Sequence, residues 1–372
     1  MSMSADTKKA WRDSPSWRDD PPRVAPPAGP AVPAWLDIAD ALAHEPPPLD
    51  FVLPGYVAGS VGSIVAAGAT GKTMLALQIA VHVAGGEDTL ALAGVANWTP
   101  THGRVLYLSG EDPADVIAGR IHAIGGYMPD AEQRARTAAN LRIAPLVGYG
   151  ARIDEGAWRS WIEKEATDAR LVIIDTLRRF HGQDENDGGE MAQMLAHLEH
   201  VCRASRTSIV FLHHVSKASA LNGAAGEQQA SRGSSVLTDN VRWQSNLSTM
   251  SEKEAKAAGV PDDLRRRFVR LSFPKMNYGP PVSDIWFSRE RGGVLRPAPQ
   301  IAAAAAAAAP ASRAAGKKKG AGKGGAPAAT AAGAGAGDMI DAAGDLSMDA
   351  ILKARAIPAP PKIGEGHDDD NW

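Results

Sequence analysis

The sequence predicts an α/β fold in which helices cover a mostly parallel sheet, and three observations carry that prediction. Short apolar runs bounded by turn residues alternate with segments of helical period. A glycine-containing loop over 66–73 separates one apolar run from the first long helical segment. Later runs end in Asp175 and in His213-His214, as strands do when their C-terminal ends gather polar groups at one edge of a parallel sheet.

Taken in order, 62–65 is expected as a strand leading into the glycine loop, and 72–84 as a helix stopped by Gly85-Gly86. Further strands are expected over 104–108, 171–174 and 208–212, with helices near 113–124, 155–166 and 190–204. In the last helix Met191, Met194, Leu195, Leu198, Val201 and Cys202 share one face, so Cys202 is expected in the core. Two strands over 268–273 and 285–288, joined by a Gly-Pro turn, complete the elements.

Composition divides the chain. Residues 1–33 mix Pro, Ser, Arg and Asp without periodicity and are expected to be a disordered Pro-rich leader. The folded domain is expected over 34–296. From Pro297 the chain collapses into Ala, Gly, Pro and Lys, including eight consecutive alanines over 302–309, so 297–337 is expected to be a flexible linker. Residues 338–372 hold eight acidic and three basic residues and are expected to be an acidic tail with a short helix over 347–356.

Charge and cysteine content exclude several classes. The net charge of −2, from 40 basic and 42 acidic residues, gives no support to a polybasic protein that coats nucleic acid or membranes, so any nucleic-acid contact must be local. A single cysteine, Cys202, rules out an intramolecular disulfide or a cysteine-zinc domain and fits a reducing cytoplasm. Residues 1–20 are polar where a signal peptide needs an apolar stretch, and no apolar run is long enough to span a bilayer. The expectation is a cytoplasmic protein with no membrane partner.

The strongest local signal is Ala66-Ala67-Gly68-Ala69-Thr70-Gly71-Lys72-Thr73, a P-loop (Walker A) pattern in which Ala66 replaces the usual first glycine. With a strand before it and a helix starting inside it, successive backbone N–H groups of Gly68, Ala69, Thr70 and Gly71 would converge on phosphate. Lys72 would neutralise the β and γ phosphates of ATP and Thr73 would ligate Mg2+. Asp175 closes an apolar strand about a hundred residues later, where an acid can hold the same magnesium; alone it is open to a second reading as a helix cap. Glu111, at the end of the 104–108 strand, is chosen as the base that polarises the attacking water, with Asp112 as the neighbouring helix cap. His213-His214 places an imidazole where it could sense the γ-phosphate, and a structural histidine is the rival reading.

Four longer runs carry a resemblance. Asp175-Thr176-Leu177-Arg178-Arg179-Phe180-His181, Phe211-Leu212-His213-His214, 230–237 (ASRGSSVL) and Asp239-Asn240-Val241-Arg242-Trp243-Gln244 resemble the RepA-type replicative helicases of broad-host-range plasmids, which are ring-shaped RecA-fold motors. The similarity runs from about Pro47 to Leu295. It implies a RecA-like P-loop NTPase core with a C-terminal β-hairpin, a homohexamer, and single-stranded DNA in the ring, translocated 5′ to 3′. It also implies ATP and Mg2+ as cofactors, with phosphate at Lys72 and Thr73, the base at Glu111, metal at Asp175 and a γ-phosphate sensor at His214. Arg242 then matches an arginine finger supplied to the neighbouring subunit, although from sequence alone a surface salt bridge accounts for it as well. Lys275, in Pro274-Lys275-Met276-Asn277-Tyr278-Gly279, resembles a cationic hairpin inserted at that site, with Asn277 where some relatives carry a second cation.

DNA contact is expected from the loop over 216–233, through Lys217 and Arg232, because the loop over 180–189 carries Asp184, Glu185 and Asp187. The acidic tail is a candidate dock for primase, initiator or other replication proteins. Two rival functions remain at this point: a DNA-stimulated ATPase that loads or recombines without unwinding, and a nucleotide-switched scaffold.

Overall fold

Strands buried on both faces read as near-continuous apolar runs, and those runs place the central sheet. The computed structural model describes residues 35–86, 88–94, 101–214 and 236–307. The chain divides into two units, Met1–Leu49 and Asp50–Trp372. In the first, the described residues form one short helix, α1 (Ile38–Ala43), whose N-cap Asp37 accepts the Asp40 N–H.

The second unit opens with a two-stranded antiparallel sheet, β1 (Phe51–Leu53) and β2 (Tyr56–Val57). The main chain then runs β3 (Val61–Ala66), α2 (Lys72–Val83), β4 (Val105–Ser109), α3 (Ala114–Gly125), α4 (Ala131–Asn140) and β5 (Leu141–Pro145). It continues through α5 (Gly156–Ala166), β6 (Leu171–Asp175), α6 (Gly188–Ser205), β7 (Ile209–His214), α7 (Val236–Asn240), β8 (Trp243–Thr249) and α8 (Glu252–Ala258). The last elements are β9 (Phe268–Met276), β10 (Ile285–Arg289), β11 (Leu295–Pro297) and α9 (Pro299–Ala307).

Nine strands make one sheet in the order β11-β10-β9-β8-β3-β7-β6-β4-β5. From β8 to β5 every pairing is parallel, and from β8 to β11 every pairing is antiparallel. This is the expected α/β fold with a mostly parallel sheet of the RecA-like P-loop type: one strand, β7, lies between the loop-bearing β3 and the carboxylate-bearing β6.

Alternation along the strands builds a core on each face. Val105, Tyr107, Leu171, Ile173, Val210 and Leu212 join α2 and α3 on one side. Leu106, Leu108, Val172, Ile174, Ile209 and Phe211 join α5 and α6 on the other. Cys202 lies in that second core as expected, and burial pushes its thiol up to about 12. An ion pair between Arg170 and Asp50, with Arg170 also donating to the Phe51 carbonyl at 2.9 Å, ties the start of β6 to β1.

The expected strands and helices are present with ends shifted by a few residues. The folded segment, however, runs past the expected boundary at 296. Ala298 and Ile301 are buried against Met250, Ala255 and Trp286, and the alanine run begins as α9. Alanine is the strongest helix former, so a run read as linker is helical where one isoleucine anchors it. The leader over 1–33 and the tail over 338–372, with its 347–356 segment, lie outside the described residues. Among the described residues no helix is long and apolar enough to cross a membrane.

Candidate functional site

Parallel strands deliver their C-terminal ends to one edge, so the residue after each strand is placed there by topology. β3 ends at Ala66, fully buried between His214 of β7 and Leu247 of β8. The alanine in place of the first glycine is thus the last strand residue, where a methyl group is accommodated. Beyond it, Gly71 takes φ +100°, a left-handed conformation that favours glycine, and serves as N-cap of α2 without a side-chain cap. A Cβ added at Gly68 or Gly71 would meet nothing within 4 Å. An uncapped helix start bordered by open space at both glycines is a place for an anion to receive the orphan N–H groups.

Lys72, the first residue of α2, is buried, and its Nζ lies 3.4 Å from Nδ1 of His214. Burial lowers the Lys72 pKa, against the opposing charges of Asp175 and Glu111. Asp175, at the end of β6, is almost wholly buried. Its Oδ2 accepts the Tyr107 hydroxyl at 2.6 Å, while its Oδ1 is buried with no hydrogen-bond partner among the described residues. Burial raises the Asp175 pKa, and Tyr107 and the Thr73 side chain pull it back.

A buried carboxylate that the Thr73 side chain reaches, with one oxygen left without a partner among the described residues, is a hard-oxygen donor set that fits Mg2+, which typically keeps waters and phosphate oxygens for its other positions. Among the described residues no cluster of three or more His, Cys, Asp or Glu could cage a metal. A magnesium held here by Thr73 and Asp175 would therefore share its coordination with a phosphate ligand.

Glu111 follows β4, whose Ser109 pairs with Asp175 of β6. Its Oε1 accepts the Thr176 hydroxyl at 2.9 Å and lies 3.9 Å from His214 Nε2. The imidazole of His214 beside it, then Thr176 and the charge on Lys72, hold its carboxyl down at about 2 against the effect of burial. Asp112 pairs instead with Arg120 of α3, and Ser109 contacts its backbone. Its carboxylate does not cap α3, whose N-cap Pro113 has no side-chain cap.

One edge of the sheet thus gathers the Gly68–Thr73 loop, Glu111, Asp175 and His214, four sequence-separated segments. Arg242 and Lys275 do not join them. Trp243 pairs with Gly62 at the start of β3, Gln244 pairs with Lys275, and the Arg242 carbonyl accepts the Asn277 N–H at 3.2 Å. Four strand residues separate that level from the loop, roughly 13 Å at the usual rise per residue. Lys275 Nζ donates to the Asp239 carbonyl at 2.6 Å, and its pKa is lowered by burial and by the nearby Arg242 charge. Arg242 is exposed and has no ion-pair partner among the described residues, so the salt-bridge reading finds no carboxylate. It lines a cavity of about 250 Å³ with Gly59, Ser60, Glu199 and Arg203. Lys217 and Arg232 lie outside the described residues.

Sequence reasoning missed Tyr107, Thr176 and Arg289. Tyr107 looks like one more core residue of an apolar strand, and its polar tip is the single signal that could have found it. Thr176 sits inside a quoted motif and its hydroxyl is aimed at Glu111 only by the fold. Arg289 is brought to the loop from the far end of the chain, its guanidinium donating to the Thr70 carbonyl at 2.6 Å.

Comparison with known proteins adds two findings. A family model described as an AAA domain matches residues 26–220. Among solved structures, one described as an ATPase domain is similar, at 16% sequence identity and a TM-score of 0.43, over 64% of this chain and 84% of that one.

Proposed function

The chain belongs to the AAA domain family, and from that premise we propose that it is an ATP-driven DNA helicase of the RepA type, working as a homohexameric ring around single-stranded DNA. The reaction is phosphoryl transfer to water: the water oxygen attacks the γ-phosphorus, the bond to the ADP leaving group breaks, and the water's proton passes toward Glu111. In such reactions the protein contributes positioning and charge rather than covalent chemistry.

Each residue has a part in that reading. The loop N–H groups and Lys72 receive the phosphates. Thr73 and Asp175 would hold magnesium, which would supply charge neutralisation at the phosphate oxygens. Glu111, kept ionised and oriented by the Thr176 hydroxyl, polarises the water. His214 touches both Lys72 and Glu111, so a change at the phosphates reaches the base and β7 together. Lys217 and Arg232, which follow β7 in sequence, are assigned to tracking the DNA backbone. Translocation 5′ to 3′ and a role in replicating a plasmid or other mobile element, with primase or initiator docking on the acidic tail, complete the proposal.

The observation that carries the reading is the separation of cations. Lys72 sits with the carboxylates at one end of β3, whereas Arg242 and Lys275 stand at the level of its other end. An arginine that far from its own loop, with no ion-pair partner among the described residues, supports a site completed by a neighbouring subunit. The test is strand displacement on a forked duplex together with ATPase assays with and without single-stranded DNA. Displacement with DNA-stimulated turnover is expected. Stimulated turnover without displacement would make the protein a loader or recombination factor, and ATP binding with negligible turnover would make it a switched scaffold.

A further inference from the structure

A buried cation without a counter-charge is expensive unless something pairs with it. Arg289, the last residue of β10, meets that cost in part. Its side chain is half-buried, one terminal nitrogen donates to the Thr70 carbonyl of the phosphate loop at 2.6 Å, and its Nε is buried with no hydrogen-bond partner among the described residues. Among the described residues it forms no ion pair with a carboxylate, and burial lowers its pKa. The adjacent Glu290 is engaged elsewhere, accepting from Arg267 at 3.0 Å and from the Ser288 hydroxyl at 2.6 Å.

The position follows from topology. β10 runs antiparallel to β9, and β9 antiparallel to β8, so the C-terminal end of β10 returns to the edge where β3 meets the loop. The glycine turn after it keeps that placement: Gly293 takes φ +82°, with an added Cβ lying 3.8 Å from Met74 of α2. The guanidinium is therefore held against a loop that already offers an uncapped helix start and Lys72, with one carbonyl as its hydrogen-bond acceptor among the described residues.

We propose that Arg289 is a nucleotide-binding residue of its own subunit, pairing through its guanidinium with the phosphate chain of the nucleotide seated on the Gly68–Thr73 loop. This rests on the nucleotide-site reading above and adds to it a second cation from the same chain. A guanidinium suits the task because its planar fork donates two parallel hydrogen bonds to phosphate oxygens in a fixed geometry, whereas an ammonium acts as a compact point charge. Pairing with phosphate also supplies a counter-charge that none of the described residues provides.

The test uses the full chain and three variants, Arg289→Gln, Arg289→Lys and Lys72→Ala, with fluorescent ADP and unlabelled tripolyphosphate as probes and thermal unfolding of the nucleotide-free protein as a control. For Arg289→Gln the dissociation constants of both probes should rise on the order of tenfold or more, as for loss of a charge-assisted hydrogen bond. KM for ATP should rise by a larger factor than kcat falls. The unfolding temperature without nucleotide should not drop, because a half-buried charge with no ion-pair partner among the described residues has been removed, and the stabilisation added by ADP should shrink. Arg289→Lys should fall between wild type and Arg289→Gln, and covers the case in which the glutamine variant misfolds.

Unchanged ADP affinity in Arg289→Gln, with Lys72→Ala impaired, overturns the proposal while leaving the nucleotide site intact. Weaker ADP but unchanged tripolyphosphate moves the contact to the base or ribose and overturns the phosphate assignment. Unchanged nucleotide affinity with weakened DNA binding assigns the arginine to DNA instead. A wild-type protein that binds neither probe overturns the nucleotide-site reading itself.

Discussion

Tyr107→Phe removes one oxygen from the centre of the candidate site and almost nothing else. The ring is fully buried and phenylalanine keeps its volume, so no cavity beyond the hydroxyl itself is left. What changes is Asp175, whose Oδ2 loses the 2.6 Å hydroxyl donor while Oδ1 already has no partner among the described residues. A hydrogen bond to a charged group contributes about 1.5–3 kcal/mol, and a domain of this size shifts its Tm by about 2–4 °C per kcal/mol, so a loss of roughly 3–12 °C is expected at neutral pH.

The pH dependence has a definite sign. Burial raises the Asp175 pKa above 3.8 and Tyr107 lowers it, so the substitution raises it further. A carboxyl whose pKa is raised on folding destabilises increasingly as pH climbs through the folded value, and not below the unfolded one. The deficit of Tyr107→Phe should therefore be largest at neutral pH and close toward acid. Differential scanning fluorimetry of wild type, Tyr107→Phe, Asp175→Asn and the double variant measures it. An unchanged Tm in Tyr107→Phe, or the same loss in the Asp175→Asn background, would refute a role through the carboxylate.

Further outcomes can be checked independently. Lys72→Ala should fold normally yet lose ATPase activity, since it removes the loop's cation and no core packing; circular dichroism and phosphate release decide it. Glu111→Gln should bind ATP without hydrolysing it, because the amide keeps the shape of the carboxylate but is a far weaker base, and pre-steady-state phosphate release separates binding from turnover. Asp50→Asn should lose stability above the unfolded carboxyl value near 3.8 and converge with wild type as pH falls through the lower folded value, since the hydrogen bond from Arg170 depresses the Asp50 pKa; unfolding curves across pH test the convergence.

The parallel core was legible because its strands are apolar and its helices periodic. β3, β4, β6 and β7 each announce themselves as runs of Val, Ile and Leu, and their ends carry the loop, Glu111, Asp175 and His214. β8 was not legible. Its Gln244, Ser245 and Asn246 are buried polar residues, and the Gln244 amide donates to Asn246 Oδ1 at 2.8 Å, so the strand carries neither alternation nor an apolar run. α4 is polar on most of its surface and was passed over for a similar reason. The site was legible as far as each residue closes a strand. Tyr107 lies inside one, and Arg289 reaches the loop only through the antiparallel return of β10, a long-range placement that no local pattern encodes.

Whether Arg242 acts on a neighbouring subunit decides most directly between a ring motor and a self-contained ATPase. Arg242→Ala alone should reduce turnover on the order of a thousandfold, as loss of an arginine finger does. Mixed with excess Lys72→Ala, itself inactive, it should regain partial ATPase activity, because some interfaces then join an intact loop to an intact arginine. Mixtures as inactive as either parent, with subunit exchange shown to be complete, would contradict the claim and leave Arg242 serving its own site or none.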